Sequence, residues 1–414
     1  MRLPTNDASS KSRALAETIL DKIGVTSKPG RKFFISILHL FLALRGRFTF
    51  KGMERYGSYS EKSYRLQFEK GFDFLQFNVE LSKQHLSSHC ILAFDPSYLP
   101  KSGKKTPHLD KFWSGCLGKA VKGIEIGGLG VVDIEHNTAF SLEAVQTPCQ
   151  AELTAKGQSL VDHYAKIITD RKAELQAISR YLAVDGYFSK KSFVDQVVEQ
   201  AGLHLISKLR KDANLKYLYK GPKKPGRGRP KRFDGKIYLA KLDKRRFKKV
   251  HQDEEAIIYE LICYSVGLDR DIKLAYVEFL DEGKATTRHA LFYATDLTLS
   301  SYCIYRYYKA RFQIEFLFRD AKQHTGLTHC QSRSENKLHF HFNTALTAVG
   351  VAKAAHYLKL DKEDRQAFSL ADIKTAYFNE LMVNLFLSNF QIDPNLEKNK
   401  PIILKLLNFG KIRA

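Results

Sequence analysis

The pattern of apolar and polar positions changes period along the chain. Over residues 1–85 apolar residues recur at three- and four-residue spacing and few runs alternate, so helices are predicted. The greasiest run, FFISILHLFLAL at 33–44, contains a Ser and a His and is too short to cross a bilayer. A buried core helix is predicted there. Within 48–70, FTFKGMERYGSYSEKSYRLQFEK reads as two short helices about a turn, capped by Ser58 or Ser60, with Lys62 and Arg65 early in the second.

From residue 90 the character becomes α/β. CILAFD (90–95) is an apolar strand ending in a carboxylate, and KGIEIGGLGVVDIE (122–135) and TAFSLEAVQTP (138–148) are extended. A helical segment at 151–177 leads to RYLAVD (180–185), again an apolar strand ending in Asp. A helix near 189–201 and the strand LHLISKL (203–209) follow. Three strands, a helix, a strand, a helix and a strand predict a mixed sheet with helices packed on it. Beyond residue 235, KIYLAKLD, EAIIYELICYSV, IKLAYVEFL and RHALFYATD predict successive strands, and 335–414 returns to helix. The expected division is a helical region over 1–85, an α/β unit over 86–210 and 297–345, a β-rich insertion over 211–296 and a helical C-terminal region over 346–414.

Charge adds a partner to this outline. The net charge is +23, and residues 216–250 alone hold fifteen Lys or Arg against Asp234 and Asp243, a net of +13. A local field of that strength suits a polyanion. The start, MRLPTNDASSKSR, is polar throughout, so no signal peptide is expected, and the short greasy run at 33–44 argues against a membrane partner. The six cysteines form no CxxC pair and read as reduced thiols of a cytoplasmic protein. Three basic features are candidates for nucleic acid. RGRP at 227–230, with Arg227, Arg229 and Lys231, has the extended form that enters a narrow minor groove, or is a charged linker. Lys101, Lys104 and Lys105 meet flanking phosphates or form a solvated loop. Lys62 and Arg65 would face DNA if the 48–70 pair is a helix-turn-helix reader.

Chemistry concentrates in YYKARFQIEFLFRDAK (307–322). On an ideal helix Tyr308, Arg311, Glu315, Arg319 and Lys322 fall within an arc of roughly 80°. A second polar stripe, Lys309, Gln313 and Asp320, lies apart, with Phe312 and Phe316 on one side between them and Ile314, Leu317 and Phe318 on the other. The second stripe accounts for solvent, so the first is expected to face a functional cleft, with Arg319 orienting Glu315; spaced ion pairs of Glu315 with Arg311 and Arg319 on a solvated face are the alternative. An apolar strand that runs into Asp95 or Asp185 needs a cation or hydrogen bonds at its end. Asp95, Asp185 and Glu315 are therefore a candidate triad of hard oxygen ligands for Mg²⁺ or Mn²⁺, with two ions about 4 Å apart suited to phosphodiester displacement. Asp133 and Asp296 are rivals, and Asp185 has a cap of the next turn as its alternative. The histidines of HTGLTHCQSRSENKLHFHF (324–342) lack zinc spacing and are expected to be ordinary polar and core residues.

The segment Tyr308–Lys322 matches Y-x2-R-x3-E-x6-K at all four positions and all three gaps, and so resembles the YREK signature of bacterial DDE transposases of the insertion-sequence-four group. LAFDPS, YLAVDGYFSK and FYATDLTLS extend the resemblance over roughly residues 90–330. It implies an RNase H-like catalytic domain with a β-rich insertion before the helix that bears Glu315. It assigns Asp95, Asp185 and Glu315 as ligands of two Mg²⁺ or Mn²⁺ ions and Tyr308, Arg311 and Lys322 as contacts to DNA phosphates. It further implies metal-dependent cleavage at terminal inverted repeats and 3′-hydroxyl transfer into target DNA. The partner is double-stranded DNA, the assembly a homodimer on DNA with the C-terminal region a candidate for dimerisation, and the location the nucleoid. Some members form a hairpin intermediate and flip a base onto an aromatic of the insertion, whereas Trp113 lies outside it. A silent DNA-binding regulator and a nuclease without strand transfer are the alternatives.

Overall fold

Five helices precede the first strand: α1 (Ala8–Lys22), α2 (Lys28–Ala43), α3 (Phe50–Tyr56), α4 (Glu61–Glu69) and α5 (Phe74–His85). The structure is a computed structural model and describes residues 8–25, 27–222, 230–239, 242–280, 288–361, 363, 365 and 367–412. Helix α2 carries the greasy run. Ser27 caps it by accepting from the Gly30 N–H, and Phe33, Phe34, Ile37, Leu38 and Phe41 are buried. The predicted helix pair is α3 and α4, with Ser60 as the cap through the Ser63 N–H at 3.2 Å. Among the described residues no helix is long and apolar enough to cross a membrane.

The sheet begins with β1 (Cys90–Pro100), β2 (Asp110–Ser114), β3 (Lys119–Asp133) and β4 (Thr138–Gln146). Helices α6 (Gln150–Ala155), α7 (Leu160–Thr169) and α8 (Lys172–Gln176) replace the single helical segment expected over 151–177, because Gly157 at φ +63° turns the chain after α6. Then come β5 (Tyr181–Val184), α9 (Lys191–Asp195) and β6 (His204–Leu209). The strands lie in the order β4-β3-β1-β5-β6, with β3 antiparallel to β1 and β4, and β1, β5 and β6 parallel. This is the mixed sheet with flanking helices that the pattern predicts. Strand β2 is too short and too polar on one face to be read from periodicity.

The next strands are β7 (Leu215–Leu218), β8 (Phe233–Ile237), β9 (Lys248–Gln252), β10 (Ala256–Ser265), β11 (Arg270–Phe279) and β12 (Arg288–Ala294). They continue the same sheet: β12 pairs with β6, and β11, β10, β7 and β8 follow outward, with β9 beside β10. Ladder hydrogen bonds from β6 onward therefore hold these strands to the α/β unit. Lys231 is exposed and pairs with Asp234 at 2.9 Å, while Arg227 and Arg229 lie outside the described residues.

Helices α10 (Ser301–Ala310), α11 (Gln313–His324), α12 (Glu335–His356), α13 (Leu370–Asn389) and α14 (Lys400–Asn408) complete the chain. Helix α12 is buried on nearly all sides. Asn343 fixes it to β4 by accepting from the Ala144 N–H at 2.8 Å and donating to the Ala144 carbonyl at 2.9 Å. From α13, Lys374 donates to the carbonyls of Phe41 and Leu44 at 3.0 Å each, satisfying the C-terminal end of α2. Burial pushes the Lys374 ammonium down to about 7.

Candidate active site

Strand register brings two carboxylates together. On the parallel pair β1–β5, Phe94 sits opposite Val184, so the next positions are Asp95 and Asp185. Neighbouring strands stand about 4.8 Å apart, and residues at matching positions share a face. Asp95 also lies opposite Gly128 of β3, and Ala93 lies opposite Gly130. A Cβ on Gly128 would stand 2.4 Å from Phe318 Cζ, and one on Gly130 would stand 3.2 Å from Ile314 Cδ1. Helix α11 therefore lies on the sheet face from which Asp95 projects, at a depth only bare glycine permits. Ile314 and Phe318 plug that floor and turn Glu315, between them in sequence, toward Asp95. On the opposite face Gly127 makes the same allowance for Phe94 and for Ile167 of α7.

One guanidinium ties the group together. Arg311 donates from Nη1 to Asp95 Oδ1 and from Nη2 to Glu315 Oε1, each at 3.4 Å, and is only 6% exposed. The Tyr308 hydroxyl donates to Asp185 Oδ1 at 3.2 Å, and its ring packs on Phe292 of β12 with centroids 4.6 Å apart. The β12 strand thus helps place the cleft. Burial pushes the Asp95 carboxyl up to about 7, opposed by Arg311 and reinforced by Glu315 and Asp185. Burial likewise raises Glu315, again opposed by Arg311 and reinforced by Asp185. It drives the Tyr308 hydroxyl up to about 12, with Asp185 adding to the rise. Lys322 is lowered by burial, with Cys116 and Asp95 pulling it back up.

The rival carboxylates are occupied elsewhere. Asp296 accepts from the Thr298 N–H and hydroxyl at 2.8 and 2.6 Å and from the Tyr181 hydroxyl at 2.8 Å. Asp133 accepts from the Ser87 N–H and hydroxyl and pairs with His136 at 2.8 Å. Both fasten loops. Asp185 occupies the cap position of the turn 186–188, yet its side chain makes no cap hydrogen bond. Its carbonyl, not its carboxylate, accepts from the Phe188 N–H and the Ser207 hydroxyl.

Two expectations about 307–322 are corrected. The segment is two helices, with i→i+3 bonds at Phe312, Ile314 and Glu315 tightening the joint. Arg319 does not orient Glu315; it pairs with Asp320 at 3.4 Å and lies over the Phe316 ring, and Arg311 is the partner of Glu315. The burial is also inverted relative to polarity. Phe312 is 51% and Phe316 37% exposed, whereas Arg311 and Asp320 are buried. A one-helix projection cannot see that the sheet face and α12 take the other two sides. None of the remaining basic residues has a described hydrogen bond or ion pair to these carboxylates. Lys62 and Arg65 are exposed on α4, with Arg65 paired to Glu61 at 2.5 Å. Lys101, Lys104 and Lys105 follow β1, with Lys104 and Lys105 exposed.

The donor set, three carboxylates without nitrogen or sulfur, suits a hard divalent cation. Among the described residues no three His, Cys, Asp or Glu side chains stand close enough to hold an ion as they are. Here the Arg311 guanidinium supplies the positive charge between Asp95 and Glu315.

The raised Asp95 carboxyl predicts a pH dependence. An ordinary aspartate titrates near 3.8. Between about pH 4 and 7 the folded protein therefore holds a proton that the unfolded chain releases, so this group's stabilisation is full at low pH and is lost as pH rises toward 7. In metal-free buffer, the melting temperature of Asp95→Asn relative to wild type is expected to rise from about pH 5 to about pH 8. A difference that stays constant with pH would contradict the raised value.

No curated protein matches the chain. Among solved structures it is similar to a piggyBac transposase synaptic complex with hairpin DNA determined by cryo-EM, at 12% identity and a TM-score of 0.41, covering 90% of this chain and 75% of that one. The family model described as transposase DDE domain matches residues 131–350, a span that includes Asp185 and Glu315 and begins after Asp95. With more than half of its 414 residues matched, the chain belongs to the transposase DDE domain family.

Proposed function

We propose that the protein is a DNA transposase of an insertion sequence of the insertion-sequence-four group, cutting at terminal inverted repeats and joining the freed 3′-hydroxyl to target DNA. The observation that supports the reading is the buried Arg311 bonded to both Asp95 and Glu315, beside a strand register that sets Asp95 and Asp185 at matching positions. Family membership supports the transposase class, and DDE transposases generally use divalent metal ions. Asp95, Asp185 and Glu315 are the residues that would hold two Mg²⁺ or Mn²⁺ ions. When bound, such ions activate the attacking oxygen and stabilise the leaving oxygen of a phosphodiester.

The chain's own groups do the positioning. Arg311 bridges the two outer carboxylates and offers a planar fork to a phosphate once they are otherwise neutralised. Tyr308 orients Asp185 and, with Lys322, borders the path of the scissile strand. Raised carboxyls such as Asp95 favour a site that fills with cation above neutral pH. Residues 1–85 and the basic insertion hold the DNA, Lys62, Arg65, Lys231, Arg227 and Arg229 among them. The helical end, 346–414, pairs two copies on the DNA.

Purified protein with Mg²⁺ and a duplex carrying the element's terminal repeats should nick at the repeat boundary and then join the 3′ end to a second duplex. Binding with neither nicking nor joining would replace the proposal by a DNA-binding regulator, and nicking without joining by a nuclease. A hairpin product on a denaturing gel would mark that intermediate.

A further inference from the structure

Three loops meet around a cavity of about 640 Å³ outside the carboxylate cleft: Arg47 before α3, residues 100–106 after β1, and residues 328–333 between α11 and α12. Its lining holds Arg47, Lys101, Lys104, Lys105 and Arg333 and no carboxylate. Arg47, Lys104, Lys105 and Arg333 are exposed and pair with no described carboxylate. Lys101 is the fixed floor. It donates to the Cys330 carbonyl, with the Thr328 carbonyl 3.4 Å away, which leaves one ammonium hydrogen for a ligand. Burial lowers the His329 imidazole in the wall, with Arg47 and Lys101 adding to the depression. Five like charges without a counter-ion repel one another, so the arrangement gains most when an anion fills it.

Position identifies the anion. Lys101 lies six residues beyond Asp95 along β1, about 20 Å at the rise of a strand. Lys322, seven residues or about 10 Å along α11 from Glu315, feels the charge of Asp95. In the sheet order the strands carrying the +13 segment lie toward the β8 end, whereas the 100–106 loop joins β1 to β2 at the other end. The loop after β1 and the +13 segment are therefore separate positive regions, the first along β1 from Asp95 and the second toward the β8 edge.

We propose that this pocket grips the DNA backbone at a point separate from the basic insertion, about six base pairs from the scissile phosphate at a 3.4 Å rise. Phosphodiester oxygens of a duplex suit an open pocket rimmed by exposed Arg and Lys. The inference rests on the transposase reading above and adds a defined second contact.

The test uses the full-length protein, the terminal-repeat duplex and the variant Arg47→Ala/Lys104→Ala/Lys105→Ala/Arg333→Ala, all at exposed positions so that folding is preserved. Lys101 is left in place. Wild type should protect backbone positions about six base pairs from the cut from hydroxyl radicals, and the variant should lose that protection while keeping it at the cut. The slope of log affinity against log salt should fall by about 2 in the variant, the loss of about two phosphate contacts. Retained protection or an unchanged slope, in a wild type that still binds and cuts, overturns the pocket alone. Inorganic phosphate bound by wild type and not by the variant, with DNA binding unchanged, would make it a free-anion site and also overturn it. A wild type that neither binds nor cuts repeat DNA instead overturns the reading beneath it.

Discussion

Glu315→Gln is expected to lower cleavage of terminal-repeat DNA by about 10³-fold, the scale of losing one preorganised electrostatic group at a reacting phosphate. Binding of the same DNA should change little. The substitution keeps the shape of the side chain and takes one carboxylate from a crowded group of three, so it is not expected to lower stability. Burial and Asp185 already work against the charge of Glu315, and Arg311 retains Asp95 as a partner. The measurements are single-turnover cleavage with Mg²⁺, a gel shift with the same duplex, and a thermal melt. Cleavage within tenfold of wild type would remove Glu315 from the active site, whatever the fate of the family reading.

Gly128→Ala should damage both the sheet and the seat of α11. Ordinarily an alanine in a strand is favoured over glycine by roughly 0.5–1 kcal/mol. Here the added carbon would stand 2.4 Å from Phe318 Cζ and 2.9 Å from Phe318 Cε1, and Phe318 is itself buried. Gly128 has no positive φ, so the absent side chain and not backbone freedom is what the site uses. Overpacking of this kind costs about 1–3 kcal/mol. The ring cannot retreat without lifting α11, which carries Glu315. A shift of about 1 Å at a catalytic group costs about 10²-fold in rate, so activity should fall further than stability implies. Phe318→Leu in the same chain should return part of both, a non-additive pair measured by urea unfolding and by cleavage. If Gly128→Ala alone is as stable and active as wild type, α11 is not seated on that glycine.

Periodicity and local chemistry carried much of the outline. The α2 core helix, the strands β1, β3, β4, β5 and β6 and the helix bearing Glu315 are visible because each has its own period or apolar run, which depends on neighbours in sequence only. Asp95 and Asp185 stand out as charges that close apolar runs, although β1 continues through Asp95 to Pro100 and only Asp185 follows a strand end. Short elements were harder: β2 offers five residues, and the helical stretch after β4 gives no periodic sign of its two breaks.

The site itself needed the fold. Sequence alone placed three carboxylates on two strands and a helix and drew a polar stripe through Tyr308, Arg311, Glu315 and Lys322. It could not pair Arg311 with both Asp95 and Glu315, because the bridge joins residues 216 positions apart. Nor could it separate Asp185 from Asp133 and Asp296, since what distinguishes them is which hydrogen bonds already hold each carboxylate. The inversion that exposes Phe312 and buries Arg311 follows from a sheet floor of glycines, from α12 behind and from the joint at 311–314. Local sequence determines the period of an element and the charges it carries. Which face meets sheet, helix or solvent is decided by the surfaces packed around it, and those come from distant parts of the chain.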